Sequence, residues 1–331
     1  MKETNIPPDS HSEPPSLQKR CKNKKNNEYS TIFVKNTFQM EIFITNDDGF
    51  QAKGIKVLTE IMRQFGSVTV IAPKYHQSGM SMAVSLGLKQ IAYKELLQED
   101  EVRDASGNLV KGALRTAYLD ATPASCIKFG LNTCFLDNFP DVIVSGINHG
   151  SNAASASCYS GTLGAALEGA LNGIPSIGVS LDSLNPDADF SAVEKYFPDI
   201  FRTLISNLSG KKGIIYNVNF PNIPAESMKG VRTGVQGRGR WVREFCKWNP
   251  ALYAKLGLTP EMLGQKSQAE CEEGEELFMM TGTFIDDPTN TPLSDHRLMK
   301  EGYVSVTAHN IDTTDREETA HLERIGINRD F

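Results

Sequence analysis

Glu41-Ile42-Phe43-Ile44-Thr45-Asn46-Asp47-Asp48-Gly49 is the stretch from which the architecture can be worked out. A short apolar run passes directly into a polar turn, the pattern of a buried strand that delivers functional groups at its carboxyl end. Downstream, Ile55, Leu58, Ile61, Met62 and Phe65 recur at helical spacing, with Gly66 expected to close that helix. Residues 67–72 read as a second strand ended by Pro73, and residues 141–145 as a strand covered on both faces. A loop over 146–160, a helix over 161–172, a strand over 177–181, a helix over 190–207 and a strand over 213–218 complete the series. Pro198 is expected to kink or split the 190–207 helix. Such alternation predicts the α/β class, with an open and mainly parallel sheet.

Two stretches break the rhythm. Residues 86–118 read as extended arms around the turn Asp104-Ala105-Ser106-Gly107-Asn108, and residues 230–290 as an excursion carrying both tryptophans. Gly237-Arg238-Gly239-Arg240-Trp241 lacks the third glycine of a dinucleotide fingerprint and reads as a surface loop. Residues 1–39 are polar, rich in proline and basic, and are expected to form a disordered tail. A targeting arm is the sharper alternative for that tail, and Met40 is a candidate start.

Over 331 residues, 40% hydrophobic and 22% charged, there is ample material for a core. No apolar run reaches the roughly 18 residues of a membrane span, so a soluble, unexported, cytoplasmic protein is expected. The chain carries −6 overall, split as +3 over residues 1–39 and −9 over the rest. An acidic body argues against a broad nucleic-acid face. It leaves room for an anionic substrate held by a helix N-terminus or a metal ion. The six cysteines form no C-x-x-C pair, which speaks for reduced thiols and against zinc.

The candidate chemistry starts at Asp47 and Asp48. Adjacent carboxylates at a strand exit repel one another, and a cation keeps both ionised. Oxygen donors suit Mg²⁺, Mn²⁺ or Ca²⁺, and the competing reading is a plain Asp-capped turn. Ser78 after the second strand and Asn148 after the 141–145 strand offer neutral oxygens from the same sheet edge. Tyr159-Ser160-Gly161-Thr162 opens a helix with two hydroxyls and free N–H groups, which suits a phosphate; the alternative for Ser160 is an ordinary N-cap. His76 and His149 lie in the site loops and could touch phosphate or shuttle a proton. No Walker sequence and no G-x-S-x-G elbow occurs.

Taken together, these residues resemble the SurE family of survival-protein nucleotidases. The resemblance rests on residues 45–49, Ala72-Pro73 with Gln77-Ser78-Gly79, and Val144-Ser145-Gly146-Ile147-Asn148-x-Gly150-x-Asn152. It continues in Tyr159-Ser160-Gly161-Thr162, Asn217-Val218-Asn219-Phe220-Pro221, Ser294-Asp295 and Glu301–Thr307. It covers roughly residues 40–315: a core of about 40–225, an extension of about 230–290 and a C-terminal element of about 291–315, with 316–331 as a tail. The resemblance implies a Rossmann-like three-layer α/β/α fold with hairpin and C-terminal oligomerisation extensions. It also implies one divalent metal ion per subunit, Mg²⁺ or Mn²⁺, on Asp47, Asp48, Ser78 and Asn148. Asn152, Ser160, Gly161 and Thr162 would then surround the phosphate, with Asp47 as the reactive carboxylate. Hydrolysis of nucleoside 5′- and 3′-monophosphates by a homodimer or homotetramer follows as the expectation. Two departures stand out: Ala154 replaces the usual glycine, and 153–158 lacks the acidic residues of many relatives.

The rival from another class is a non-catalytic nucleotide-binding regulator on the same core, which needs no paired carboxylates. A phospho-aspartyl enzyme of the haloacid dehalogenase kind calls for Asp-x-Asp, whereas the acid pair at this strand exit is the adjacent Asp47-Asp48, and a Rossmann oxidoreductase calls for a glycine fingerprint, which the chain lacks.

Overall fold

A computed structural model of the chain describes residues 39–87, 90–255, 259–260 and 271–328. The expected basic tail lies almost wholly outside the described residues. The chain enters at β1 (Met40–Thr45), turns through α1 (Lys53–Met62) and returns as β2 (Gly66–Pro73) beside β1. Gly66 begins this strand rather than closing the helix: a Cβ there would lie 2.0 Å from the Met40 carbonyl oxygen, so the two strands meet too closely for any other residue.

An arm follows, made of β3 (Tyr93–Glu99), β4 (Val102–Arg103) and β5 (Leu109–Lys111), before β6 (Leu114–Leu119) pairs with β2. The expected turn at 104–108 is present, closed by the Asp104 carboxylate accepting from the Ser106 and Asn108 amides at 2.8 and 2.9 Å. Arg63, 1% exposed, anchors the arm by donating to the Gly112 carbonyl at 2.8 Å and pairing with Glu99 at 2.5 Å.

Next come α2 (Pro123–Asn132), β7 (Val142–His149), α3 (Gly161–Leu171), β8 (Ser176–Leu181), α4 (Ser191–Ser206) and β9 (Ile214–Phe220). Strand β7 runs four residues past the expected end, because Asn148 and His149 resume pairing with Ser180 and Leu181 after an irregularity. The 190–207 prediction is met by one continuous helix, with Pro198 inside it. Glu194, whose carbonyl loses its partner to that proline, is exposed, while Phe197, Ile200 and Phe201 are buried in the core.

Six strands form the parallel heart of a nine-stranded sheet ordered β10-β15-β9-β8-β7-β1-β2-β6-β3, once β10 (Gly230–Thr233) and β15 (Tyr303–Asn310) are added. Ile42 and Ile44 face a core shared with α1 and α4, whereas Phe43 faces one shared with α2 and α3. Burial on both faces explains the uninterrupted apolar runs of β1 and β7. Chain direction makes the sheet grow one way from β1 to β2 and β6, then the other way through β7, β8 and β9. The switch point therefore lies between β1 and β7, where a ligand crevice is expected.

The 230–290 excursion is a ribbon in which β11 (Gly239–Val242) pairs β14 (Thr283–Asp286) and β12 (Phe245–Lys247) pairs β13 (Phe278–Met280). The Gly239–Val242 stretch, expected as loop, is thus a strand, since its partner lies more than 40 positions away. Helix α5 (Pro250–Lys255) sits within the excursion, α6 (Asp295–Lys300) precedes β15, and the 316–331 segment carries the helix α7 (Arg316–Arg324) with no buried residue.

Strand β15 pairs antiparallel with β9 over six positions, so it is a member of the main sheet rather than an appendage. A chain ended at residue 290 leaves the β9 edge unpaired and is expected to aggregate, whereas one begun at Met40 retains every described strand. Light scattering and thermal unfolding decide this; a monodisperse, cooperatively melting chain ended at 290 would refute it.

Candidate active site

Asn46 builds the turn that presents the two carboxylates. Its side chain donates to the Gly49 carbonyl at 3.0 Å and accepts from the Gly49 amide at 3.2 Å, while Gly49 takes φ +96°, a conformation that glycine adopts freely. The Asp47 carbonyl accepts from the Gln77 amide at 2.7 Å, and the Pro73 carbonyl from the Phe50 amide at 3.0 Å. These bonds tie the β1 exit to the β2 exit, which brings the loop bearing exposed Ser78 alongside.

Asp47 is 3% exposed and lies under the first turn of α3. Thr162 donates its hydroxyl to Asp47 Oδ1 at 2.5 Å, and the Thr162 amide also bonds the carboxylate. A Cβ on Gly161 would approach Asp47 Cβ to 2.9 Å and Oδ2 to 3.0 Å, so that residue must be small for the helix end to reach the acid. Burial pushes the Asp47 carboxyl up, the Asp48 charge adds to it, and the Thr162 bond opposes; the balance is about 7.

Asp48 is clasped from the other side. Its Oδ2 accepts from both the backbone amide and Nδ1 of His149 at 3.0 Å, and His76 Nδ1 lies 3.5 Å from Oδ1. Asn148 is 7% exposed and donates Nδ2 to the Gly150 carbonyl at 2.7 Å, so its Oδ1 is the atom left to serve as a ligand.

The remaining expected phosphate residues are engaged within the protein. Ser160 is the N-cap of α3, with Oγ accepting from the Leu163 amide at 3.1 Å. Asn152 donates Nδ2 to Ser180 Oγ at 2.9 Å, and its backbone joins Asn217 and Asn219 in a buried network. Thr162 and Asp47 are therefore joined by a direct bond, with Gly161 against Asp47 and Asp48 next in the chain, whereas the Asn152 side-chain amide is turned toward β8.

Two features were not legible as spacing. Asp295, wholly buried, accepts from the Ala154, Gly237 and His296 amides at 2.8–3.0 Å and so pins the loop leading into α3. Ala154 takes φ +50°, the left-handed region that explains why a glycine is usual there.

Among the described residues, no three of His, Cys, Asp or Glu gather into a metal-binding group. A cation here would rest on two carboxylates supplemented by neutral oxygens, a hard donor set suited to Mg²⁺ or Mn²⁺. The buried acid pair fits such an ion, because positive charge would offset the burial and the Asp48 repulsion that together raise Asp47.

A family model described as survival protein SurE matches residues 42–243. A 5′-nucleotidase SurE of Christiangramia forsetii is 34% identical over 82% of this chain and 92% of its own length. Its counterpart in Bacteroides thetaiotaomicron is 35% identical over 82% and 91%. The crystal structure of a SurE protein from Aquifex aeolicus superposes with TM-score 0.62 at 24% identity, covering 86% of this chain and 99% of that one. That likeness shows the fold.

Proposed function

This chain belongs to the SurE survival-protein family, and from that premise we propose that it is a metal-dependent phosphomonoesterase releasing phosphate from nucleoside 5′-monophosphates, with 3′-monophosphates as further substrates. The observation that carries the reading is Asp47, buried between Asp48 and the first turn of α3 at the switch point of the sheet.

Asp47, Asp48, Asn148 and Ser78 would hold one divalent ion, Mg²⁺ or Mn²⁺, which when bound supplies neutralising charge to the phosphoryl oxygens. Asp47 acts on the phosphorus centre, as nucleophile or as base to the attacking water. Thr162 holds that carboxylate in place through its hydroxyl on Oδ1 and its backbone amide. The N-terminal end of α3 contributes positive potential beside the developing charge, and Ser160 and Asn152 keep that end and its leading loop in place. Exposed Trp241, Phe245, Phe278 and Met280 on the ribbon support a homodimer or homotetramer. Among the described residues no helix is long and apolar enough to cross a membrane, and the five described cysteines are free thiols, which supports a reducing, cytoplasmic setting.

The test is phosphate release from a panel of nucleoside monophosphates with Mg²⁺ or Mn²⁺, then with chelator. Absence of metal-dependent release by folded protein would favour a nucleotide-binding regulator. A finer check follows from the Thr162 bond. Thr162→Ala is expected to lower kcat about 10- to 100-fold with little change in KM, and Thr162→Ser to recover most of it. A pure KM effect would place Thr162 on the phosphate instead.

A further inference from the structure

We infer that His149 is a positioning residue for the metal site: donating from Nδ1 and from its backbone amide, it locks Asp48 Oδ2 and leaves Oδ1 as the ligand oxygen. The inference rests on the function proposed above.

Two donors from one residue converge on Asp48 Oδ2, the His149 backbone amide and Nδ1, each at 3.0 Å. A carboxylate oxygen only accepts, so Nδ1 must carry the proton. The other ring nitrogen, Nε2, is buried and has no hydrogen-bond partner among the described residues. A buried N–H at that position would be left unpaired, whereas a lone pair on Nε2 is the lesser burden. Geometry therefore selects one tautomer.

The ring is held from three sides. Phe190 meets it edge-on at 5.3 Å and 90°. Lys53 fastens the Phe190 segment by donating to the Asp187 and Ala188 carbonyls at 3.2 and 2.8 Å. Gly54, at the start of α1, leaves the remaining space: a Cβ there would lie 3.3 Å from His149 Cε1 and 2.1 Å from the Ile147 carbonyl oxygen. With Oδ2 doubly engaged, Oδ1, which His76 Nδ1 approaches to 3.5 Å, is the Asp48 oxygen left for an ion. The orientation is thus set before any ion arrives, as partners behind metal ligands commonly do.

The test uses the full chain. In metal-free wild type labelled with ¹⁵N-histidine, the His149 ring is expected to show a protonated Nδ1 and an unprotonated Nε2. Calorimetric titration with Mn²⁺ alone should give about 10- to 100-fold weaker binding for His149→Leu. His149→Asn, whose amide can sit where Nδ1 lies, should recover most of that loss, and His149→Gln, whose amide sits farther out, should not. An Nε2–H tautomer, or Mn²⁺ affinity unchanged in His149→Leu, overturns the inference. If His149→Leu does not fold, equal affinities in the Asn and Gln variants overturn it. Failure of the nucleotidase reading is separable: wild type would bind Mn²⁺ with the expected tautomer yet release no phosphate.

Discussion

Asp47→Asn is expected to cut phosphate release by a factor of about 10³ or more at saturating metal while the fold is retained. The substitution removes the reactive oxygen's charge and one of the two anionic metal ligands. It also removes a destabilising element. Because the folded protein raises the Asp47 carboxyl from the ordinary range near 4 to about 7, ionising it opposes folding. The folded state then holds the proton more tightly than the unfolded chain. This contribution to stability is full below pH about 4, falls as pH rises toward about 7, and levels off above. In chelator, the melting temperature of wild type relative to Asp47→Asn should therefore decline across that window, and added Mg²⁺ should reverse the decline at neutral pH. Near-normal turnover in the variant would remove Asp47 from the reaction, and a pH-independent difference in melting would remove the electrostatic account.

Asp295→Ala is expected to be the most damaging single change outside the acid pair. Its carboxylate is wholly buried and accepts from the backbone amides of Ala154, Gly237 and His296, which belong to three segments far apart in sequence. Truncation leaves those donors buried without an acceptor, at about 1–3 kcal/mol for each unpaired group. Relief of the carboxylate's own desolvation offsets part of this, so the net loss is about 3 kcal/mol or more, a fall of about 6–12 °C in melting temperature. Asp295→Asn should lose less, since one oxygen still accepts while the new N–H faces existing donors. Hydrogen exchange should show the Ala154 and Gly237 amides losing protection. Activity should fall too, because the loop pinned at Ala154 leads into the α3 end that holds Asp47. Unchanged exchange at both amides would show that the loop is held by something else.

The parts of this molecule that the sequence makes legible are those where burial repeats locally. Ile42, Phe43 and Ile44 alternate between two cores, and Val142, Ile143 and Val144 do the same, so their runs declare strands covered on both faces. Asn46 and Gly49 declare a turn because their bonds close within four residues. From these, the α/β class and an acid pair at a strand exit followed directly. Gly66 and the Gly239–Val242 strand did not, because what Gly66 touches is Met40 and what Gly239 pairs with is Asp286.

The same distinction separates the residues of the site from their partners. That Asp47 and Asp48 stand together, that Ser160 can cap a helix, and that Asn148 and His149 follow an apolar strand can all be read from neighbouring positions. Folding in three dimensions sets the rest: Thr162 turns its hydroxyl to Asp47 across 115 positions, His149 holds Asp48 across 101, and β15 returns to pair with β9. Those choices depend on strand order and register, which are fixed by the summed packing of both sheet faces. No local spacing carries that sum, because each contact is made by side chains whose neighbours in space are strangers in sequence.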